Sequence, residues 1–343
     1  MRKYLAVLVA TVAAIAIMIY YKQDPKVYRN ASGVVWYTTY NIVYESAKAL
    51  DDSIIAVTNT IDNSASMYNE RSVLSQINGN LTDEADSIVM RLLRRSEKIN
   101  VETKGAFDPT VAPLIKLWKT QSAGAALPSD DVIDSVLLYV GMDKVRLVGN
   151  KVVKDDARIQ LDFSAIAKGM GCDEVARMLE RNGVENFIVE IGGEIVARGV
   201  NSRGKPWNIS VDMPIEGNDM VMHSSALVLS MENGAVATSG NYRNYKVVDG
   251  EKVAHIINPA TGYSEQSSLL SVTVVAADCM DADAYATALM VMGLDEARKF
   301  ALSHKDDLAV VLIYASEDGS LQVWRSPGVE RYETAMNEGE NAR

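Results

Sequence analysis

The feature that most constrains the fold is a series of β-hairpin patterns in the second half of the chain. From about residue 144, short stretches rich in β-branched and aromatic residues follow one another across glycine turns, as in NFIVEIGGEIVARG. Strands so closely spaced pair antiparallel, because parallel neighbours need a long crossover. Residues 45–100 instead show mostly helical spacing of apolar side chains. The chain is therefore predicted to be an α+β protein with mainly antiparallel sheets and packed helices.

Several element boundaries follow from the same patterns. Residues 23–35 resemble a linker, and VVWYTTYNIVY, which begins at Val34, predicts one strand. KVRLVGNKVVKDDARIQLDFS predicts a hairpin that turns at Gly149-Asn150. Near the C-terminus, a strand over 268–276 precedes a helix from Asp281 and a second helix, DEARKFALSH. No further linker is evident before a polar tail at 331–343.

The chain begins with basic residues and a long apolar run. Arg2 and Lys3 precede LAVLVATVAAIAIMIYY at residues 5–21, and Lys22 begins a polar stretch. This length is near the lower limit for a spanning helix, roughly 17 residues, and it also suits a secretory signal. Residues 1–22 are therefore predicted to form one hydrophobic helix, either a signal peptide or a membrane anchor. We expect an exported protein on the periplasmic side of the bacterial inner membrane, anchored or soluble.

Charge and cysteine content narrow the classes of partner. The net charge of −11 argues against a nucleic-acid partner, which would need a basic face. The two cysteines, Cys172 and Cys279, are too few and too far apart in sequence for a disulfide framework, and no CxxC pair suggests zinc. Both are predicted to be small buried side chains.

An acid-rich segment, DCMDADAYAT at 278–287, follows the predicted strand at 268–276 and contains the start of the helix predicted from Asp281. On a helix, Asp283 and Thr287 are four residues apart and share a face. A carboxylate and a hydroxyl so placed suit a hard cation such as Mg²⁺, which prefers oxygen ligands. Taken alone, the segment is better explained as an ordinary helix start, with Asp281 or Asp283 as the cap.

Four other segments combine glycine with polar residues at the ends of predicted elements: GAFDPT at 105–110, residues 162–169, Gly192-Gly193, and HIINPATG at 255–262. Residues 162–169 join a strand end to a helix start, where free backbone amides favour anions. Taken singly, each segment also fits a cap or a turn. None matches a Walker loop, the dinucleotide GxGxxG or a nucleophile elbow.

Together, these segments resemble the ApbE-type FAD:protein FMN transferase family. The matching pieces follow that family's order from about residue 35 to 300. They are TTY at 38–40, MY at 67–68, residues 72–78, GAFDPTVAPLIKLW, LDFSAIAKGMGCD, VEIGGEIVARG, AVATSGNYRNY, HIINPATG and SVTVVAADCMDADAYATALMVMG. The chain departs from the family at Trp36-Tyr37, where Met-Gly is frequent, and at Asn241 and Asn258, where Asp is usual.

The resemblance implies a T-fold-like ApbE architecture in one transferase domain over residues 36–330. It implies Mg²⁺-dependent transfer of FMN from FAD, as substrate, to a Ser or Thr hydroxyl of a target flavoprotein, with release of AMP. The expected target is a flavoprotein of a membrane electron-transport complex of the Nqr or Rnf kind. FAD and this acceptor are the partners the resemblance implies.

Matching residue by residue, the resemblance also implies site residues. The metal ligands would be Asp283 and Thr287 through their side chains and Ala165 through its carbonyl. The FAD contacts would be Trp36, Tyr68, Ala106, Phe107, Asp108, Asp162, Lys168 and Ile257. Asp281 then becomes a helix cap or a support for the ligands. Among the residues near these motifs, His255 is the best candidate for a general base, since a neutral imidazole is available near pH 7.

Two other functions fit the same residues. Water in place of the acceptor hydroxyl would make the protein a metal-dependent FAD pyrophosphate hydrolase that yields FMN and AMP. A non-catalytic exported flavin-binding protein is the third reading, and the joint presence of Lys168, His255, Asp283 and Thr287 argues against it.

Overall fold

The computed structural model describes Thr11 and residues 25–119, 127–214, 225–240, 245–248, 251–254, 256–264 and 267–333. Within these residues, no helix is both long and apolar enough to cross a membrane. The predicted N-terminal helix at 1–22, apart from Thr11, lies outside the described residues, as does the polar tail from residue 334 onward.

One eight-stranded sheet organises the fold. Its strands are β1 (Val27–Val35), β2 (Thr38–Ser46), β5 (Phe187–Ile191), β6 (Glu194–Arg198), β9 (Asn233–Gly240), β12 (Leu269–Ala276), β13 (Ala309–Ala315) and β14 (Leu321–Arg325). They lie in this order across the sheet, and every neighbouring pair is antiparallel. The predicted antiparallel α+β fold is confirmed.

Three separate hairpins, seven α-helices and three short 3-10 helices complete the described structure. The hairpins pair β3 (Val145–Val148) with β4 (Lys151–Lys154), β7 (Trp207–Asp212) with β8 (Ser225–Met231), and β10 (Tyr245–Val248) with β11 (Glu251–Ala254). The helices are α1 (Asp51–Ala65), α2 (Val73–Asn78), α3 (Ser87–Glu102), α4 (Ala112–Lys119), α5 (Asp130–Leu137), α6 (Ala167–Arg181) and α7 (Cys279–Ser303). The hairpin predicted around Gly149-Asn150 is confirmed.

Both faces of the large sheet are covered. On β13, Val310 and Leu312 pack into the core that contains α7, while Val311 and Ile313 pack against the β7–β8 hairpin on the opposite face. Alternate residues of a strand point to opposite faces, so a strand covered on both sides must be apolar throughout. This requirement explains the uninterrupted apolar run of β13.

The start of the sheet differs from the sequence prediction in two ways. Residues 27–35, predicted as linker, form strand β1, and the single strand predicted from Val34 is two strands that turn at Trp36-Tyr37. Both turn residues have positive φ, 50° for Trp36 and 62° for Tyr37. Such two-residue turns normally carry Asn or Gly, because other side chains are strained there. Without that signal, the sequence pattern conceals the hairpin.

The C-terminal helices agree better with prediction. Gly293 has φ 73° and ψ 175° inside α7 and divides it into two helical parts. The parts correspond to the two helices predicted from Asp281 and from DEARKFALSH. The first part crosses the sheet beside α6 and carries the acid-rich segment.

Candidate active site

Two cavities adjoin at the N-terminal end of α6. The charged cavity, about 580 Å³, is lined by a lysine and several acids, namely Asp108, Asp162, Lys168, Glu194, Asp212 and Asp283. The aromatic cavity, also about 580 Å³, is lined by the side chains of Trp36, Tyr37 and Tyr68. Ser164 and Lys168 line both cavities, so the two spaces meet at the start of this helix.

The structure brings the described candidate residues to these two cavities. The charged cavity contains Ala106, Phe107, Asp108, Asp162, Ala165, Lys168, Ile257, Asp283 and Thr287. The aromatic cavity contains Trp36 and Tyr68, with Lys168 at the shared wall. His255, the candidate base, lies outside the described residues.

Lys168 lies between two buried carboxylates. Its Nζ is 2.6 Å from Oε1 of Glu194 and 3.4 Å from Oδ1 of Asp283. The other oxygen of Asp283 accepts a hydrogen bond from the Gly169 backbone N–H at 3.0 Å. Glu194 is not among the residues that the sequence motifs single out. The signal available there was an acid placed directly after a double-glycine turn.

Burial and charge act in opposite directions in this group. Burial lowers the pKa of Lys168, but the carboxylates of Asp283 and Glu194 outweigh it and raise the pKa overall. Burial raises the pKa of Glu194, and the ammonium of Lys168 only partly opposes that shift. Lys168 is therefore a firmly cationic group between two acids.

Close packing of α6 on α7 holds Lys168 and Asp283 together. A Cβ added to Gly169 would lie 2.2 Å from the carbonyl oxygen of Cys279, so only glycine permits this approach. Cys172, one turn further along α6, donates its thiol to the carbonyl of Glu194 at 3.2 Å. Both cysteines are fully buried, as predicted.

The start of α7 is capped from another helix. Asp173 of α6 accepts the backbone N–H groups of Cys279 at 2.9 Å and Met280 at 3.0 Å. Of the two roles predicted for Asp281, a helix cap or a support for the ligands, the cap is wrong, because its carboxylate forms a bidentate ion pair with Arg95. A side chain more than a hundred residues earlier supplies the cap, and local sequence contains no signal for it.

Two candidate FAD contacts are also part of the framework. Asp108 caps the turn that precedes α4, accepting the Thr110 N–H at 2.8 Å, and its other oxygen accepts the Met142 N–H at 3.1 Å. Burial raises the pKa of Asp108, partly offset by these hydrogen bonds. The Phe107 side chain packs in the core beneath the charged cavity.

A hydroxyl pair lies beside Asp283. Thr287 Oγ1 is 3.1 Å from Ser239 Oγ on β9, and both residues line the charged cavity. Sequence reasoning assigned no role to Ser239, although AVATSGNYRNY was among the matching segments. The sheet places Ser239 next to Thr287, because β9 pairs with β12, the strand that leads into α7.

The strained hairpin turn forms one wall of the aromatic cavity. The Trp36 ring packs on α6 so tightly that a Cβ on Gly171 would lie 2.3 Å from it, and its Nε1 donates to the Thr58 carbonyl at 3.3 Å. Tyr37 and Tyr68 meet edge to face, with ring centroids 5.4 Å apart. Backbone strain of this kind is concentrated at binding sites.

The donor set of the charged cavity is rich in oxygen. Within the described part of the chain, no three His, Cys, Asp or Glu side chains form a metal-binding group. A site built from one carboxylate, one hydroxyl and one backbone carbonyl would not form such a group. Asp283, Thr287 and Ala165, which contain that combination of donors, all line the charged cavity.

The comparisons with known proteins agree with this architecture. The chain matches the ApbE family over residues 36–312 and belongs to that family, which confirms the resemblance drawn from its motifs. It is 35% identical over 299 residues to the FAD:protein FMN transferase of Vibrio cholerae, covering 84% of this chain and 88% of the relative. The FAD:protein FMN transferase of Haemophilus influenzae is 32% identical over 336 residues, covering 93% and 95%.

A solved structure shows the same fold. The flavin transferase ApbE from Vibrio cholerae superimposes with a TM-score of 0.80 at 32% identity. The match covers 90% of this chain and 100% of that structure. The similarity therefore extends over most of the fold.

Proposed function

We propose that the protein transfers FMN from FAD to a Ser or Thr hydroxyl of a target flavoprotein and releases AMP. The observation that carries the proposal is the meeting of a charged and an aromatic cavity at Lys168. FAD has two ring systems joined by a pyrophosphate, so its charged centre needs a cation between two pockets. The curated relatives are FAD:protein FMN transferases over nearly the same length.

The reaction exchanges the phosphoanhydride bond of FAD for a phosphate ester bond to the acceptor. The acceptor oxygen forms a bond to the FMN phosphorus, and the bond from that phosphorus to the bridging oxygen breaks. AMP leaves with the bridging oxygen, and the acceptor proton passes to a base, for which His255 is the candidate. Lys168 orients the pyrophosphate and offsets the charge that develops as AMP departs.

A divalent cation, Mg²⁺, is part of the proposal. The donors fit, because the Asp283 carboxylate, the Thr287 hydroxyl and the Ala165 carbonyl are the hard oxygen ligands that Mg²⁺ prefers. Asp283 is 4% exposed, and the contact that the described residues give its Oδ1 is the one to Lys168 at 3.4 Å. Bound there, the cation would neutralise charge on the phosphates and act as a Lewis acid.

The cellular location and the acceptor are also part of the proposal. The basic and apolar start of the chain favours export, with the acceptor on a membrane electron-transport complex of the Nqr or Rnf kind. Fractionation of cells that express the full-length chain tests the location. Recovery in the cytoplasmic fraction would contradict it.

Incubation of the purified full-length protein with FAD, Mg²⁺ and a candidate acceptor domain tests the activity. Mass spectrometry should find covalent FMN on a Ser or Thr of the acceptor, and Asp283→Ala should abolish this product while the fold is retained. Transfer that survives Asp283→Ala would refute the metal assignment.

AMP release separates the alternatives. Release at an equal rate with and without the acceptor would make FAD hydrolysis the principal activity. No AMP under either condition would indicate a flavin-binding protein without turnover.

A further inference from the structure

We propose that Glu194 is a positioning residue that holds the Lys168 ammonium away from Asp283 and so keeps that carboxylate available to a divalent cation. This inference rests on the metal ligands proposed above and adds a residue that the sequence did not assign.

The distances show which acid holds the lysine. Lys168 Nζ is 2.6 Å from Glu194, a short charge-assisted hydrogen bond, and 3.4 Å from Asp283, a longer contact. Lys168 could move toward either carboxylate by small torsional changes, because its side chain is long and flexible. The shorter bond to Glu194 therefore selects the position of the ammonium.

Glu194 is itself held rigidly. It begins β6 directly after the Gly192-Gly193 turn, and its backbone carbonyl accepts the Cys172 thiol. Its side chain is 4% exposed, and Lys168 is the cation that the described residues place against it. A carboxylate so buried is costly unless a cation accompanies it, so Glu194 and Lys168 stabilise each other's position.

One oxygen of this carboxylate remains without a bond. Glu194 Oε2 is buried and has no hydrogen-bond partner among the described residues, and Glu194 is one of the residues that line the charged cavity. The bond from the Lys168 ammonium to Oε1 is therefore the interaction that offsets the cost of burying this carboxylate. Burial favours the neutral acid and the ammonium favours the ionised one, so the charge of Glu194 depends on the ammonium staying on its side.

A cation at Asp283 makes this arrangement necessary. Two positive charges a few ångströms apart repel strongly in a partly buried site. With Glu194 in place, the ammonium has its own anion and need not share Asp283. Without it, Asp283 becomes the nearest anion for Lys168, and the ammonium competes with the metal.

Binding of Mn²⁺ to the purified full-length protein without FAD, followed by electron paramagnetic resonance, tests the inference. Glu194→Gln removes the charge but keeps the shape, and we expect the Kd for Mn²⁺ to rise roughly 10- to 100-fold, as for other groups that support metal ligands. Adding Lys168→Met to this variant should restore most of the affinity, because the competing cation is gone.

Glu190→Gln is the matched control. It makes the same chemical change on the same hairpin, where Glu190 accepts the Gly193 N–H at 2.8 Å outside the charged cavity. Its Mn²⁺ affinity should equal that of the parent. An equal loss in both variants would overturn the inference, since it would reflect general charge rather than Lys168.

The remaining outcomes separate the two proposals. Unchanged affinity in Glu194→Gln overturns the positioning role, and so does a double variant that binds as weakly as Glu194→Gln alone. Asp283→Ala tests the metal assignment independently. If Asp283→Ala binds Mn²⁺ like the parent, the ligand set of the proposed function fails, and the role of Glu194 fails with it.

Discussion

The charged and aromatic cavities have equal volumes of about 580 Å³ but very different walls. In the first, Asp283 and Glu194 are almost fully buried and are fixed by packed helices and strands. In the second, Tyr37 and Tyr68 are 85% and 61% exposed, and Tyr37 is itself part of the strained turn. In the proposed reaction, the buried charged groups lie at the pyrophosphate, and the exposed rings pack against a ring system of FAD.

Lys168 belongs to both cavities, so its loss should have the largest effect. Lys168→Met should lower the rate of FMN transfer by roughly 100- to 1000-fold, the usual cost of removing one group that stabilises developing charge. Single-turnover assays with saturating FAD would measure it. A loss below about threefold would show that the junction of the cavities is not where the chemistry occurs.

Asp173 tests how firmly the charged cavity is held, because it caps the helix that carries Asp283. Burial raises its pKa from 3.8 to about 6, against the pull of the Cys279 and Met280 N–H groups. The native state therefore binds this proton more tightly than the unfolded chain. The protonated Asp173 therefore adds most to the free energy of unfolding below about pH 4. This contribution, at most ~3 kcal/mol, is lost as the pH rises to about 6.

Asp173→Asn removes that titration, so urea unfolding should show a weaker decline in stability from pH 4 to pH 6 than in the parent. Asp156, a half-buried carboxylate paired with Arg158, serves for comparison, and Asp156→Asn should leave this part of the profile unchanged, because Arg158 lowers the pKa of Asp156 to about 2. Parallel profiles for Asp173→Asn and the parent would mean that Asp173 does not titrate in this range.

Gly171 offers a way to disturb only the aromatic cavity. Gly171→Ala would place a Cβ 2.3 Å from the Trp36 ring and force the ring to shift. We expect a loss of about 1–3 kcal/mol in unfolding free energy, typical of overpacking. Mn²⁺ affinity should stay that of the parent. Weakened Mn²⁺ binding would show that the two cavities are mechanically coupled.

Tyr68 should give the smallest effect. Tyr68→Ala removes an aromatic contact worth about 0.5–1.5 kcal/mol, so KM for FAD should rise by up to about tenfold with kcat unchanged. Tyr68→Phe keeps the ring and should behave like the parent. A fall in kcat instead of a rise in KM would assign Tyr68 to the chemical step.

Much of the architecture was accessible from the sequence. The hairpin at Gly149-Asn150, the burial of Cys172 and Cys279, and the helix with Asp283 and Thr287 on one face follow from periodicity and turn residues. These features depend on neighbours close along the chain, where the period of each element fixes which side chains share a face.

Only the tertiary structure decided the rest. The Trp36-Tyr37 turn lacks the usual turn residues and is held by packing on Gly171. The bonds from Asp173 to the start of α7 and from Lys168 to Asp283 join residues 106 and 115 positions apart.

Glu194 is the clearest example of a site residue that the sequence alone did not reveal. Its sequence position showed only an acid after two glycines, and burial against Lys168 gave it a partner. The sequence by itself determined which segments carry oxygen ligands and glycines. The fold decided which acid faces the lysine, because long-range packing and desolvation leave no trace in local periodicity.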